Sequence, residues 1–308
     1  MAIKASGNSL SFSEIEAQFD NSQPYSLSEF YAGGSSVFSG CQDEAGNAIP
    51  SSGTIKFSDF YSTPTISQTT TNFTSSGTYT IPLGVTSVTV TLHGGGGQGG
   101  EGDESGSGGG GGGGGSGGTV QGTLTISNNT SGSSNQTITV TVGSGGYHAS
   151  SGTHDASGTT YAASGSASSI VYGSQTTSAG GGGYGGGYNG LGQAYSAASQ
   201  GGNSIGSNFS ASTNNTGNTA DGGQAASGDG GSAAGTAGKA LASNPLSLTS
   251  TGGTAGAINP SSDSVQTGGN ASGNGAGGGG AASRDRSGAH HWSGGSGSAG
   301  YVRIVAGG

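Results

Sequence analysis

Apolar and polar positions alternate with a period of two in several stretches of this chain. Val88, Val90 and Leu92 alternate with Thr89 and Thr91, Leu124 and Ile126 with Thr123 and Thr125, and Ile138, Val140 and Val142 with Thr137, Thr139 and Thr141. That period, carried by β-branched residues, predicts strands, and threonine on the second face predicts a half-solvated antiparallel sheet. Phe73, Tyr79 and Ile81 lead into the first of these runs. A last strand is predicted at Tyr301–Val305. It is too short to form a domain, so it is expected to return and complete the sheet or sandwich begun at residue 73.

Residues 1–61 follow another pattern. Ser11-Phe12-Ser13-Glu14-Ile15, Ser26-Leu27-Ser28-Glu29-Phe30-Tyr31 and Lys56-Phe57-Ser58-Asp59-Phe60-Tyr61 each place a serine and an acid among bulky residues. The first two also match a capping box, so all three read as short helical turns, with Ile15 and Phe19 on one face. Six of the eight phenylalanines lie here, as do seven acids and two bases. A unit of about 60 residues has a marginal core, which predicts that it docks onto another protein.

Composition decides what lies between the strands. Glycine supplies 73 of 308 residues, hydrophobic residues 28% and charged residues 7%. One conventional core through the whole chain is excluded, and so is collagen, given six prolines and no sustained G-X-Y period. The reading is therefore a mainly β chain: a small N-terminal mixed docking module at 1–64, then an antiparallel β-sandwich from strands in 65–142. Its glycine-rich loop is 94–118, a glycine-rich excursion occupies 143–300, and 301–308 is the closing strand. The excursions either stay flexible or pack as polyglycine rods of polyproline-II type, with Gly180–Gly183, Gly185–Gly187 and Gly277–Gly280 as buried rods.

Acids outnumber Lys and Arg by 15 to 6, and no basic stripe offsets the net charge of −9, so nucleic acid is excluded as a partner. The single Cys41 forms no intramolecular disulfide. The N-terminus lacks an apolar signal-like core and no apolar run approaches 18 residues, so synthesis in a cytosol without membrane insertion is expected.

Little points to catalysis. Glu101-Gly102-Asp103-Glu104 lacks the ligand spacing of an EF-hand. His148, His154, His290 and His291 have no cysteine nearby to complete a zinc site. Gly238-Lys239-Ala240 lacks the hydroxyl residue of a phosphate-binding loop. The spacing of Asp155, Asp221, Asp229, Asp263 and Asp285 selects no carboxylate pair. No metal, no cofactor and no enzyme activity are expected. Tyr184, Tyr188, Tyr195 and Trp292 either present flat faces to a sugar or receptor loop, or pack between glycine segments. Arg284-Asp285-Arg286 beside His290-His291-Trp292 is the densest polar and aromatic cluster of the excursion.

The N-terminal motifs, from Leu10–Ile15 through Tyr25–Gly34 to Ile49–Tyr61, resemble a module of tail and fibre proteins of tailed phages, marine ones especially. Phe73–Pro82, Val85–Val90, Gly94–Gly97 and the closing Gly300-Tyr301-Val302-Arg303-Ile304 resemble the glycine-rich domain of phage tail proteins. The middle is similar in composition to distal tail-fibre adhesins. The resemblance implies a virion protein of the tail or fibre, assembled in the host cytoplasm, that recognises a host-surface glycan or outer-membrane protein without covalent chemistry. It implies attachment to other tail or fibre proteins through Phe12, Ile15, Phe19, Leu27, Phe30, Tyr31, Phe57, Phe60 and Tyr61. Receptor contact falls to Tyr184, Tyr188, Tyr195, Arg284, Arg286, His290, His291 and Trp292. A fibre connector, baseplate part or capsid decoration is the alternative. No heptad imposes threefold symmetry, so a homotrimer and a single chain on a trimeric shaft both stay open.

Overall fold

The computed structural model describes residues 7–19, 30–32, 37, 47–61, 69–82, 85–103, 109–127, 136–147, 162–187, 197–221, 224–225, 232–233, 235–259, 264–265, 267–284 and 291–306. In the N-terminal unit, Phe12–Phe19 is helical. The Ser11 amide donates to the Glu14 carboxylate at 2.9 Å, the returning half of the predicted capping box. The Ser11 hydroxyl turns to the same carboxylate at 3.0 Å rather than to the helix amides. A second short turn spans Phe57–Phe60, where the Asp59 carboxylate accepts from the Lys56 amide at 2.8 Å. Ile15, Phe30, Val37, Ile49 and Phe60 form the small core, with the Phe30 ring edge-on to both Phe12 and Phe60. The second motif, from Ser26 to Glu29, lies outside the described residues.

Nine strands build two antiparallel sheets: β1 Thr69–Phe73, β2 Gly77–Thr80, β3 Ser87–His93, β4 Thr119–Thr125, β5 Thr137–Thr141, β6 Ser168–Tyr172, β7 Gln175–Ala179, β8 Phe209–Asn215 and β9 Tyr301–Ala306. One sheet runs β1-β9-β3-β4-β8 and the other β2-β5-β6-β7. Val88, Val90, Leu92, Val120, Leu124, Val302 and Ile304 share one core with Tyr79, Ile138, Val140 and Ile170 of the second sheet. The alternation read from the sequence accounts for this, since each apolar set lies on one face of its strand. Each such side chain stabilises by about 1.5–3 kcal/mol.

Residues 143–300 differ from a single excursion, because the chain re-enters the sandwich through β6, β7 and β8. Of these, β7 (Gln-Thr-Thr-Ser-Ala) and β8 (Phe-Ser-Ala-Ser-Thr-Asn-Asn) are edge strands with largely polar sequences. An edge strand needs little apolar alternation, so its sequence looks like loop. A register shift between Ala211 and Thr213 bends β8 where it crosses Gly122. A Cβ at Gly122 would lie 2.1 Å from the Ser210 carbonyl, so only glycine fits beneath that bulge.

The threonine face is only half solvated along its length. Thr89, Thr123 and Thr125 are exposed, whereas Thr91, His93 and Thr119, nearer the glycine-rich segments, are buried. The turn 241–250 reaches this end of the sheet: the Thr119 hydroxyl donates to the Ser243 carbonyl at 2.7 Å. That hydroxyl has one proton, so the His93 ring must donate to it through Nδ1, at 3.0 Å. The His93 Nε2 is then an acceptor, buried without a hydrogen-bond partner. The described titratable group facing it is Tyr301, its ring 6.5 Å away.

Burial lowers the His93 pKa from 6.5 to about 4. The unfolded chain therefore takes up this proton first as the pH falls. Stability from the neutral imidazole is full above pH 6.5 and is lost progressively down through pH 4, about 3 kcal/mol in all. Denaturant titrations from pH 7 to 4 should give a steeper loss for the native chain than for His93→Gln. Parallel curves would refute the assignment.

Beyond the sandwich, twelve extended segments that are neither helix nor regular strand can be followed among the described residues. Those at 94–101, 143–147, 180–187, 217–221, 252–257 and 275–282 run away from the sandwich. Those at 111–118, 162–166, 198–203, 235–240, 267–271 and 293–300 run back. Their hydrogen bonds repeat every third residue. Along 94–101, the amides of Gly94, Gly97 and Gly100 donate to Gly118, Gly115 and Gly112. The amides of Gly95 and Gln98 donate to Ser166 and Ala163, and those of Gly96 and Gly99 to Ser298 and Gly295. Its carbonyls accept in the same rhythm, Gly95 and Gln98 from Gly182 and Gly185, Gly97 and Gly100 from Gly278 and Ala281, and Gly96 from Gly146. Segment 94–101 thus bonds to six neighbours.

Segment 275–282 also bonds to six neighbours: 94–101, 111–118, 235–240, 252–257, 267–271 and 293–300. A β-strand repeats every two residues and bonds to two neighbours. A repeat of three with partners on all sides sets these segments apart from the strands of a sheet.

Candidate functional site at the distal end

The register places both ends of these segments. Near the sandwich, Gly94 pairs with Gly118, Gly118 with Gly180, Gly117 with Gly275, and Gly300 with Gly143. At the other end Gly100 pairs with Gly112, Gly112 with Gly186, Gly186 with Asp221, and Gly111 and Gly100 with Ala281. The described ends at 101, 111, 187, 221, 235, 257, 267, 282 and 293 therefore gather at one distal end, whereas those at 147, 162 and 198 lie beside Gly96, Gln98 and Tyr184, short of it. The turns 241–251 and 272–274 lie at the sandwich side instead.

Short ladders tie the described parts of the distal end together. Gly102–Asp103 pairs with both Gly109–Gly110 and His291–Trp292, and Gly109–Gly110 also pairs with Gln224–Ala225. Ser232–Ala233 pairs with Ser283–Arg284, and Ile258–Asn259 with Ser264–Val265. His291 is opposite Asp103 and Trp292 opposite Gly102, across 188 and 190 residues of sequence. A Cβ at Gly102 would lie 2.4 Å from the Ala282 carbonyl. The ladder face that carries Gly102 and the Trp292 position is therefore the one turned toward the end of segment 275–282, while the Asp103 and His291 positions belong to the opposite face.

Among the residues expected to meet a receptor, Arg284, His291 and Trp292 thus come together on distal ladders. Tyr184 lies partly exposed near the outer part of 180–187, its carbonyl accepting from the Ala198 amide at 3.0 Å. Tyr188, Tyr195, Arg286 and His290 fall outside the described residues. Sequence reasoning missed Tyr147, which is 65% exposed at the outer end of 143–147. Its signal was there, an aromatic directly after Gly145-Gly146, but it was hidden by its nearness to the Thr/Val strand that ends at residue 141.

Ionisable groups are unevenly placed. Asp221 and Lys239 form a 2.8 Å ion pair between neighbouring segments, and the Arg303 Nε donates to the Asn72 amide oxygen at 2.9 Å. The other nine Asp, Glu, Lys and Arg of residues 69–307 are Glu101, Asp103, Glu104, Asp155, Asp229, Asp263, Arg284, Asp285 and Arg286. All nine fall, in sequence, between an outward and a returning segment; Glu101, Asp103 and Arg284 are described at the distal end, and the other six lie outside the described residues. Among the described residues no group of three or more His, Cys, Asp or Glu is arranged to hold a metal, and no helix is long and apolar enough to cross a membrane.

In the N-terminal unit, Ile15, Phe30 and Phe60 are interior, so they build the unit rather than face a partner. Phe12 is partly buried against them, and Phe57 is 50% exposed. The Tyr31 hydroxyl donates to the Gly53 carbonyl, and the Tyr61 hydroxyl to the Asn8 carbonyl at 2.7 Å. Phe19 ends the helix, and Leu27 lies outside the described residues.

A family model described as a glycine-rich domain matches residues 69–307, from the first strand of the sandwich to the last. No curated protein matches the chain.

Proposed function

The chain belongs to the glycine-rich domain family, and from that premise we propose that it is a tail or tail-fibre protein of a tailed phage that recognises a host surface non-covalently. The observation that carries this reading is the segregation of chemistry. The glycine-rich segments hold almost no functional side chains. Nine of the twelve Asp, Glu, Lys and Arg of residues 69–307 fall, in sequence, between an outward and a returning segment, and the described ones among them, Glu101, Asp103 and Arg284, lie at the distal end with His291 and Trp292. A scaffold that gathers rigid aromatics and charges at the end opposite its sandwich is suited to making contacts there. The N-terminal unit, with its own small core and the exposed Phe57, is the element proposed to join neighbouring virion proteins.

The test is competition for adsorption. Excess recombinant chain should block particle adsorption to host cells, and the double variant Arg284→Ala, His291→Ala should weaken cell binding at least about tenfold. A chain that neither binds cells nor competes would leave a purely structural virion role. A chain lacking residues 1–61 should still bind cells but fail to enter particles. Its incorporation would refute the attachment role.

A further inference from the structure

The first and last strands of the sandwich have an unusual relation. β1 is the first strand after the N-terminal unit and is an edge strand whose one neighbour in its sheet is β9. β9, the last strand in sequence, lies between β1 and β3. The pairing runs from Thr69 opposite Ala306, at the base, to Phe73 opposite Val302, near the glycine-rich segments. Above its first residue, β9 continues directly from segment 293–300. That segment bonds to 94–101, 143–147, 267–271 and 275–282, and so is tied into the distal body.

We propose that the β1–β9 pair is a mechanical clamp between the N-terminal residues and the distal end. A pull on the distal end draws β9 upward by its N-terminal end. The reaction at the N-terminal unit draws β1 downward by its own N-terminal end. Antiparallel ladder bonds are perpendicular to the strands, so opposite axial forces load the whole ladder at once, in shear. The Arg303–Asn72 hydrogen bond lies across the same pair, and Phe73 is packed against the core at the inner end of β1. A force separating residue 69 from residue 306 would act differently. Those residues are partners at the base, so their bonds would open one after another.

The clamp needs no knowledge of what the distal end binds, and its test is independent of host recognition. Single-molecule pulling would use a Cys41→Ser chain with handles at two introduced cysteines. The axial geometry uses Ser67→Cys with Ser287→Cys, and the opening geometry Ser67→Cys with Gly308→Cys. Placing one handle at residue 67 keeps the N-terminal unit out of the load path. The first rupture in the axial geometry should need at least about twice the force of the opening geometry, and Asn72→Ala should lower the axial value alone. Equal forces in the two geometries, or a first axial event that leaves β1 paired to β9, would overturn the proposal.

Discussion

Gly278→Ala is expected to cost about 3–5 kcal/mol, enough to unfold the glycine-rich domain or bring it close to unfolding. The new Cβ would lie 1.8 Å from the Gly295 carbonyl oxygen. Segment 275–282 has hydrogen-bonded neighbours on six sides, so Gly295 cannot retreat without breaking bonds to others. Gly96→Ala repeats the test on the other six-neighbour segment, with its Cβ 1.9 Å from the Ala276 carbonyl. Gly202→Ala is the control, because a Cβ there meets nothing within 4 Å. It should be neutral or slightly stabilising, since alanine restricts the unfolded chain. Chemical denaturation of the three variants decides the matter. A Gly278→Ala protein as stable as Gly202→Ala would mean that the segments do not pack as closely as described.

Removal of residues 301–308 is expected to abolish the fold of the domain. The truncated chain loses Tyr301, Val302, Ile304 and Ala306 from the core, a loss of about 5 kcal/mol or more from the aliphatic pair and the ring. It also opens the ladders to β3 and β1, and β1 is left without a neighbour in its sheet. Domains of this size hold about 5–15 kcal/mol in reserve, so little folded protein should remain. The truncated chain should show no cooperative thermal transition beyond that of the N-terminal unit. A native-like transition would show that β9 is dispensable.

How much could be read from the residues depended on how their environment selects them. Strands β3, β4, β5 and β9 were legible because a two-faced strand must alternate. β7 and β8 were not, since an edge position tolerates Gln-Thr-Thr-Ser-Ala as readily as any polar loop. The burial of Thr91, His93 and Thr119 could not be anticipated either. It depends on the turn 241–250 returning across more than a hundred residues, and nothing local in Thr91 signals a cover. At the distal end, the cluster Arg284 to Trp292 stood out by density. Its pairing with Gly102–Asp103 and Ser232–Ala233 is a matter of topology, and glycine-rich sequence carries no register signal of its own. In the N-terminal unit the bulky residues were found but not sorted. Ile15, Phe30 and Phe60 turned inward while Phe57 stayed exposed, a distinction that short helical turns do not announce in sequence.

The six-sided hydrogen bonding of segments 94–101 and 275–282 also has a calorimetric meaning. What these glycines remove from water is peptide backbone, with no hydrocarbon beyond the Cα. Exposing polar surface lowers the heat capacity, whereas exposing apolar surface raises it. Unfolding of the glycine-rich region should therefore add little heat capacity, or subtract some, while the sandwich supplies the usual positive increment. The domain as a whole then has a flatter stability curve than a conventional protein of its length, with less cold sensitivity and a broader range of temperature over which it keeps its shape.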